Sequence, residues 1–166
     1  MHNVSAAADV LRMENIAMKR NVSFAIGALA LVACWSIAAQ SFGGAAPVSD
    51  LYVASVSSQT GSTEAISVHQ TATQRHHAGG FVHVVSVERG YGHASATMNN
   101  GPVREIETVN LCDGGRGSMV RCRNGQTVIG HMRTWDVTGK GNGQFTVKST
   151  SVNWPRNTAT KSISIL

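Results

Sequence analysis

The sequence is short of the motifs that identify a catalytic or cofactor site. It contains no Gly-x-Ser-x-Gly, no His-Glu-x-x-His and no Cys-x-x-Cys, which argues against a nucleophile-elbow hydrolase, a helical zinc site and a thioredoxin-like redox pair. Only 14% of the residues are charged and 5% are aromatic, and no apolar stripe at helical spacing is long enough to predict a helix. Because no basic helix or aromatic platform accompanies the excess of Lys and Arg, we expect no specific nucleic-acid partner.

The composition is that of one small globular domain. The chain has 166 residues, of which 42% are hydrophobic, with 17 Gly and 3 Pro. This length leaves room for a single domain and a processing segment. The formal net charge of +5 is dispersed, so it favours weak attraction to anionic surfaces and defines no site.

The N-terminal segment has the layout of a secretory signal. Lys19 and Arg20 precede an apolar stretch over residues 22–39, which ends in small residues. The true start is expected at Met18, and the product would be secreted or periplasmic with no membrane span in its mature form. The organisation predicted is an upstream extension over residues 1–17, a signal peptide over 18–41, a linker over 42–50 and a β domain over 51–166.

Three kinds of processing fit this segment. Residues 31–34, Leu-Val-Ala-Cys, resemble a lipobox, in which Cys34 would be lipidated and anchor the protein to the cell envelope. Against this, residues 35–39 continue the apolar run, and cleavage after Ala39 or Ser41 would free the protein. An uncleaved anchor is the third interpretation, because the run approaches the ~20 residues of a spanning helix, although its many small residues disfavour it.

Export also decides how the remaining cysteines are interpreted, because disulfides persist outside the cytoplasm. With Cys34 in the signal, Cys112 and Cys122 form an even pair around a glycine-rich loop. Glycines let such a loop turn back so that two strand ends meet. We therefore predict a Cys112–Cys122 disulfide that contributes about 2.5 kcal/mol of stability.

From Leu51 onward the pattern predicts short strands between clusters of Gly, Asn and Ser. The first strand would place Leu51, Val53 and Ser55 on one face, since side chains alternate along a strand. Residues 81–87 form the most apolar strand, which we expect to be central. A further strand is predicted over residues 103–111.

The C-terminal part predicts three more strands. Two β-rich runs, residues 127–137 and 144–153, flank a glycine-rich loop and predict a hairpin. Residues 154–158 make the next turn, and residues 161–166 form a terminal strand. Strands at this spacing predict an all-β fold, either a single small antiparallel β-sandwich or a partly closed barrel.

Several short motifs recur along the predicted strands and turns. They are Leu51-x-Val53, Ser55-Val56, Gly90-Tyr91-Gly92, Trp135, Gly141-x-Gly143-x-Phe145 and the run from Ser149 to Thr158. These motifs resemble those of a family of small secreted bacterial proteins typified by the YolA protein, and the resemblance spans most of residues 51–166. It implies secretion and a β fold, and it implies no activity, since that family is a domain of unknown function.

The histidine-rich segment, residues 69–93, raises the question of a metal site. Imidazoles with a carboxylate such as Glu88 could hold zinc or copper. The spacing does not place ligands on one helix face, so a core or surface role is favoured at each position and no cofactor is expected. The ligands to test are His76, His77, His83 and His93, with His69 nearby.

A hydrolase would need a nucleophile beside a base, or two opposed carboxylates. Glu105 and Glu107 are the only nearby pair of carboxylates outside turns. In one strand they would share a face about 7 Å apart instead of opposing each other across a sugar. We interpret them as a solvated face.

The aromatic residues suggest a ligand surface. Tyr91 and Trp154 could stack on sugar rings while Arg156 and Asn157 bind hydroxyl groups, and loops on a rigid scaffold often carry binding residues. The structural interpretation is that Trp135 packs in the core and Trp154 caps an edge.

We therefore expect a secreted or envelope-attached binding protein whose partner is a surface glycan, an envelope component or another protein. The rival hypothesis is a small secreted hydrolase or metal-dependent enzyme that uses residues 69–93. Elemental analysis of the mature protein separates the two, because stoichiometric zinc or copper favours the enzyme.

Processing itself is testable. The exported protein should lack the apolar segment and carry no free thiol, because the signal is cleaved and Cys112 pairs with Cys122. Intact mass and N-terminal sequencing measure both. An N-terminus at Met1 or Met18, or two free thiols without reductant, contradicts the prediction, whereas an acylated Cys34 at the N-terminus identifies a lipoprotein.

Overall fold

The computed structural model describes residues 45–166, so the predicted upstream extension, signal peptide and Cys34 lipobox lie outside the described residues. The regular secondary structure of residues 45–166 consists of strands. These residues contain no helix that could cross a membrane. The strands are β1 (Asp50–Ser58), β2 (Ser62–Ala65), β3 (Val82–Arg89), β4 (Gly92–Met98), β5 (Gly101–Gly115), β6 (Ser118–Arg121), β7 (Val128–Asp136), β8 (Gly143–Ser151) and β9 (Thr158–Ile165).

The strands form one antiparallel sheet that curls into a half-barrel. Their order is β2-β1-β3-β7-β5-β4-β8-β9, and β6 pairs with β5 outside this path. Strands near the two ends of the order meet, because β1 contacts β9. The all-β fold class is confirmed, and the sheet has the form of a partly closed barrel.

Apolar side chains pack together inside the curled sheet. Trp135 is 1% exposed, and its indole Nε1 donates a hydrogen bond to Ser86 Oγ at 2.8 Å. A buried indole N–H usually finds such a partner, so the interpretation of Trp135 as a core residue is confirmed. Other core residues are Val53, Val56, Val84, Met98, Phe145, Val147, Ile163 and Ile165.

The most apolar strand is central, as predicted, because β3 lies between β1 and β7. Val82 and Val84 are buried, whereas His83 on the other face is half-buried. Since side chains alternate along a strand, the buried face continues to Ser86 and Glu88. A carboxylate therefore enters the interior at the end of β3.

The predicted facing of Ser55 is wrong. The register between β1 and β3 shifts between Val53 and Ser55, so Leu51, Val53 and Val56 are buried and Ser55 is half-buried. A β-bulge inserts one extra residue and moves the following side chains to the opposite faces.

The predicted hairpin around residues 139–143 is also wrong. β7 pairs with β3 and β5, while β8 pairs with β4 and β9. The glycine-rich connection instead carries the chain from one part of the sheet to another. The predicted turn at residues 154–158 does join two paired strands, β8 and β9.

The segment between β2 and β3 bridges the opening of the half-barrel. Ala72 forms a parallel bridge with Ser164 of β9, and the His77 N–H donates to the Leu166 carbonyl at 2.7 Å. Residues 70–77, which we call the closing segment, thereby connect to the last strand of the sheet.

Glu64 of β2 holds the closing segment from the other side. Its carboxylate accepts hydrogen bonds from the Gln70 amide at 2.7 Å, the N–H groups of Gln74 and Arg75 at 2.8 and 3.0 Å, and His77 Nε2 at 3.3 Å. Burial alone would raise the pKa of Glu64, but these hydrogen bonds outweigh it and lower the pKa to about 2 from 4.5.

His77 is part of the same buried cluster. Its Nδ1 lies 3.0 Å from Ser58 Oγ, and the Gly61 N–H donates to that same oxygen at 2.8 Å. Because the Glu64 carboxylate can only accept, the pattern fits an imidazole that carries its proton on Nε2 and accepts from Ser58 at Nδ1. His77 therefore has a structural role.

Glu64 should make stability depend on pH. Its folded pKa lies below its unfolded value, so its stabilisation is present above pH 4.5 and is lost as the pH falls towards about 2. Glu64→Gln should cost about 2 kcal/mol at neutral pH, the order expected for hydrogen bonds to a charged acceptor. The melting temperature of the wild type should therefore fall more steeply on acidification than that of the variant.

The matched control is Glu107→Gln, which removes an exposed carboxylate that lies 3.8 Å from Arg121. This variant should keep the acid profile of the wild type. Parallel melting profiles for Glu64→Gln and the wild type would contradict the role of Glu64.

Candidate functional site

The predicted ligand residues gather at one end of the half-barrel. β3 ends at Arg89 and β8 ends at Ser151, and the chain continues from them into Tyr91 and into residues 152–157, which we call the Trp154 loop. The Val152 N–H donates to the Tyr91 carbonyl at 3.0 Å. Tyr91 and the Trp154 loop are therefore in direct contact.

Residues 45–49, which we call the leading segment, contact both. The Tyr91 N–H donates to the Ala46 carbonyl at 2.8 Å, and Asn153 Nδ2 donates to the Ala45 carbonyl at 2.7 Å. This part of the predicted linker thus lies against the domain and helps to fix the Trp154 loop.

Within the Trp154 loop the side chains divide into two groups. Trp154 is 88% exposed and Arg156 is also exposed, so both are available to a ligand. Asn157 instead donates from Nδ2 to the Val48 carbonyl at 2.5 Å and accepts from Ser151 Oγ. Its amide thus holds the loop, although the residue as a whole is exposed, and its predicted role in ligand binding stays a prediction.

A cavity of about 430 Å³ opens beside Tyr91. Among the residues that the structure describes, its walls are mostly apolar, and Arg89 is the charged residue that lines it. The Tyr91 hydroxyl donates to the Val128 carbonyl at 2.8 Å, which fixes the ring. The lining residues are Ala45, Ala46, Ser49, Arg89, Gly90, Tyr91, Thr127, Val128 and Ile129.

A buried polar cluster supports Tyr91 from below. The His131 ring packs edge-on against the Tyr91 ring with centroids 5.3 Å apart. His131 Nδ1 lies 3.1 Å from Glu88 Oε1, an ion-pair distance without the alignment of a hydrogen bond. Ser149 also lies close to Gly92, and only a glycine fits there because a Cβ would collide with Ser149 Oγ.

Arg133 is the cation at the centre of this cluster. Its Nη2 donates to Glu88 Oε1 at 3.0 Å and to the Gly92 carbonyl at 3.2 Å, and its Nη1 donates to Glu105 Oε2 at 3.0 Å. Burial would raise the pKa of Glu88, but the contacts of His131, Ser149 and Arg133 lower it. Glu88 is therefore a paired buried anion.

The two carboxylates of β5 do not share a solvated face as predicted. A register shift lies between Glu105 and Glu107, and this bulge turns Glu105 towards Arg133. Glu107 remains exposed near Arg121, at 3.8 Å. The interpretation of a solvated face is correct for Glu107 and wrong for Glu105.

The structure does not bring the predicted metal ligands together. His77 is buried between Ser58 and Glu64, and His76 is exposed, 3.5 Å from Asn142. His83 lies on the outer face of β3 and His93 is exposed on β4. Residues 45–166 contain no group of three or more His, Cys, Asp or Glu that could hold a metal ion.

The predicted disulfide is present. Cys112 and Cys122 are bonded, with Cα atoms 5.0 Å apart. Cys112 lies in β5 and is 1% exposed, while Cys122 directly follows β6. The disulfide joins the paired strands β5 and β6, so its role is to hold the structure together.

The sequence analysis missed two buried carboxylates, Glu64 and Glu88, as structural anions, and it missed the half-buried Arg133 that pairs with Glu88. For Glu88 a signal existed, because it continues the alternating face that holds Val82 and Val84. For Arg133 no local signal existed, since its partner Glu88 is 45 residues away in sequence.

One comparison with known proteins identifies a relationship. A family model described as Domain of unknown function (DUF4879) matches residues 38–165. No curated protein and no solved structure matches the chain. An uncharacterised family is thereby confirmed, and the likeness to YolA stays a prediction.

The buried cluster predicts a large effect at Arg133. Arg133→Met should lower the free energy of unfolding by about 3–5 kcal/mol, because it leaves the buried Glu88 charge without its cation. Chemical denaturation measures this loss. The control is Arg104→Met, which removes an arginine whose side chain is 78% exposed and lies 3.5 Å from Asp136, and which should cost less than about 1 kcal/mol. Equal losses in the two variants would contradict the role of Arg133.

Proposed function

Because the chain belongs to the family of the domain of unknown function DUF4879, we propose a function from its geometry. The protein is an exported binding protein that recognises a cell-surface glycan. The Trp154 loop and the cavity beside Tyr91 form the binding site. The observation that carries this proposal is the exposure of Trp154.

An exposed tryptophan on an anchored loop contributes little to folding and is free to contribute to binding. Trp154 leaves 88% of its surface in water, and burying an aromatic side chain is among the largest favourable contributions to folding or binding. The loop around it is held by Asn153 and Asn157. A ligand would therefore meet an indole on a loop that is already anchored, and that lowers the entropic cost of binding.

The surroundings fit a carbohydrate. A flat indole stacks on the apolar face of a sugar ring, and the Arg156 guanidinium supplies hydrogen-bond donors for hydroxyl or acidic groups. The neighbouring cavity of about 430 Å³ has the size of a small ligand site and offers Arg89 and Ser49 among apolar walls. One sugar could stack on Trp154 while another enters the cavity.

Export is part of the proposal. A basic pair before an apolar stretch and small residues supports a signal peptide. The Cys112–Cys122 disulfide supports an oxidising compartment. We propose that the mature protein is secreted or periplasmic, or is anchored to the envelope if Cys34 is lipidated.

A serine-hydrolase function is not proposed, although Ser58 hydrogen-bonds to His77 and His77 hydrogen-bonds to Glu64, as in a catalytic triad. Ser58 is 3% exposed, and its oxygen already accepts from the Gly61 N–H. A Cβ at Gly61 would lie 2.6 Å from His77 Nδ1, so the main chain covers the dyad. A substrate carbonyl has no access to this serine.

Trp154→Ala tests the proposed site. Loss of an exposed anchor should weaken binding by about 30-fold, which corresponds to about 2 kcal/mol, and should leave the melting temperature nearly unchanged. Binding is measured on a glycan array and by pull-down with isolated bacterial cell wall. Phe81→Ala is the control, because Phe81 is an aromatic residue that is 41% exposed next to β3 at the opposite end.

Two outcomes would contradict the proposal. A large fall in melting temperature would make Trp154 structural. A stable Trp154→Ala protein that binds normally, together with loss of binding in His76→Ala or His83→Ala, would move the site to the histidine-rich segment.

A further inference from the structure

A disulfide-closed hairpin carries a cluster of arginines close to the cavity. Residues 111–123, which we call the arginine hairpin, comprise the paired ends of β5 and β6. The Cys112–Cys122 disulfide closes its base. Arg116 and Gly117 form the two-residue turn at its tip.

Three of the 14 Lys and Arg residues of the chain lie in this short hairpin. Arg116, Arg121 and Arg123 are all exposed, and the Arg121 side chain is 70% exposed. Arg89, which lines the cavity, donates from Nη2 to the Gly117 carbonyl at 2.7 Å. This contact joins the wall of the cavity to the tip of the hairpin.

Few acidic groups offset these charges. Asp113 uses its carboxylate to accept the Gly115 N–H at 2.8 Å, which shapes the turn. Glu107 lies 3.8 Å from Arg121, with both side chains more than half exposed, so this pair is screened and weak. The arginine hairpin keeps a net positive charge.

The backbone at the tip indicates that Arg116 is not there for folding. Its φ is 52° and that of Gly117 is 79°, the left-handed pair that type I′ hairpin turns require and that Asn-Gly satisfies best. An arginine at the first position is less favourable than asparagine.

We propose that the arginine hairpin binds repeated anionic groups, phosphate or carboxylate, on the glycan recognised by the Trp154 site. This inference rests on the proposed function and names the ligand class as an acidic polymer. Guanidinium groups suit such groups because their planar forks bind phosphate and carboxylate in a bidentate manner. The disulfide restricts the backbone conformations of the hairpin, so the arginines lose less conformational entropy on binding.

The test uses the mature chain with heparin as the polyanion. Arg116→Asn alone should weaken binding without lowering the melting temperature, because asparagine suits the turn at least as well. The triple variant Arg116→Asn, Arg121→Gln, Arg123→Gln should lose more than about tenfold in affinity. It should also reduce the slope of log K against log salt by about 2, since each neutralised group on a single-stranded polyanion contributes about 0.7.

The control changes the net charge equally elsewhere. Arg75→Gln, Lys140→Gln, Lys148→Gln removes three exposed cations that lie outside the hairpin. This variant should keep nearly the wild-type salt slope. If the two triple variants lose affinity and slope equally, binding reflects net charge only and the inference falls.

Other polyanions decide the ligand class. Binding to single-stranded DNA or to anionic lipid vesicles that exceeds binding to heparin at the same salt concentration would overturn the assignment to a glycan. Failure here is distinguishable from failure of the proposed function, because Trp154→Ala is read out on the glycan array and isolated cell wall, whereas the hairpin variants are read out on heparin. Normal heparin binding by the arginine variants with lost glycan binding by Trp154→Ala would refute this inference alone.

Discussion

The half-barrel depends on the hydrogen bonds accepted by the Glu64 carboxylate. They attach the closing segment to β2, and the same segment pairs with main-chain groups of β9 that would otherwise face water or another chain. Open sheet edges are a liability that proteins cover or charge. A single buried anion accepts four hydrogen bonds here, so its desolvation is offset and the edge is closed.

Each end of the half-barrel is organised by one such buried carboxylate, but the two differ in what satisfies it. Glu64 is held mainly by N–H groups of the closing segment, so it fixes main chain. Glu88 is paired with Arg133 and lies next to His131, so it fixes side chains, and through His131 it supports the Tyr91 ring. The first arrangement fixes the closing segment, and a cavity of about 310 Å³ lined in part by His77 and Val82 lies at that end. The second arrangement fixes the side chains beneath the cavity beside Tyr91, and this end also holds the exposed Trp154. Binding is therefore expected at the end that holds Tyr91.

Much of the architecture follows from local patterns. The alternation in β3, the glycine-rich loop between Cys112 and Cys122, and the Trp-Pro turn each encode their structure within a few residues, and each prediction from them is confirmed. The bulges at Ser55 and between Glu105 and Glu107 could not be predicted, because one inserted residue reverses facing without any change in composition. Pairing of β7 with β5 instead of β8 is likewise a property of the whole sheet. Of the candidate ligand residues, Trp154, Arg156 and Asn157 are exposed, and the hydrogen bond from Asn157 to Val48 could not be predicted because the two residues are distant in sequence. Their role in binding stays a prediction.

Two places where local preference is broken lie near the cavity beside Tyr91. Trp154 is exposed although burial would stabilise it, and Arg116 adopts a left-handed conformation that asparagine would adopt more readily. Trp154 belongs to the loop that Asn153 ties to Ala45 at the cavity wall, and Arg116 is next to Gly117, whose carbonyl binds Arg89 of the same wall. Other departures lie elsewhere, such as the positive φ of Ser62 and the exposed Val68, but neither adjoins this wall. Departures from local preference are expected where selection acts on binding and not on folding, and two of them at the edge of one cavity are a physical reason to look for the ligand there.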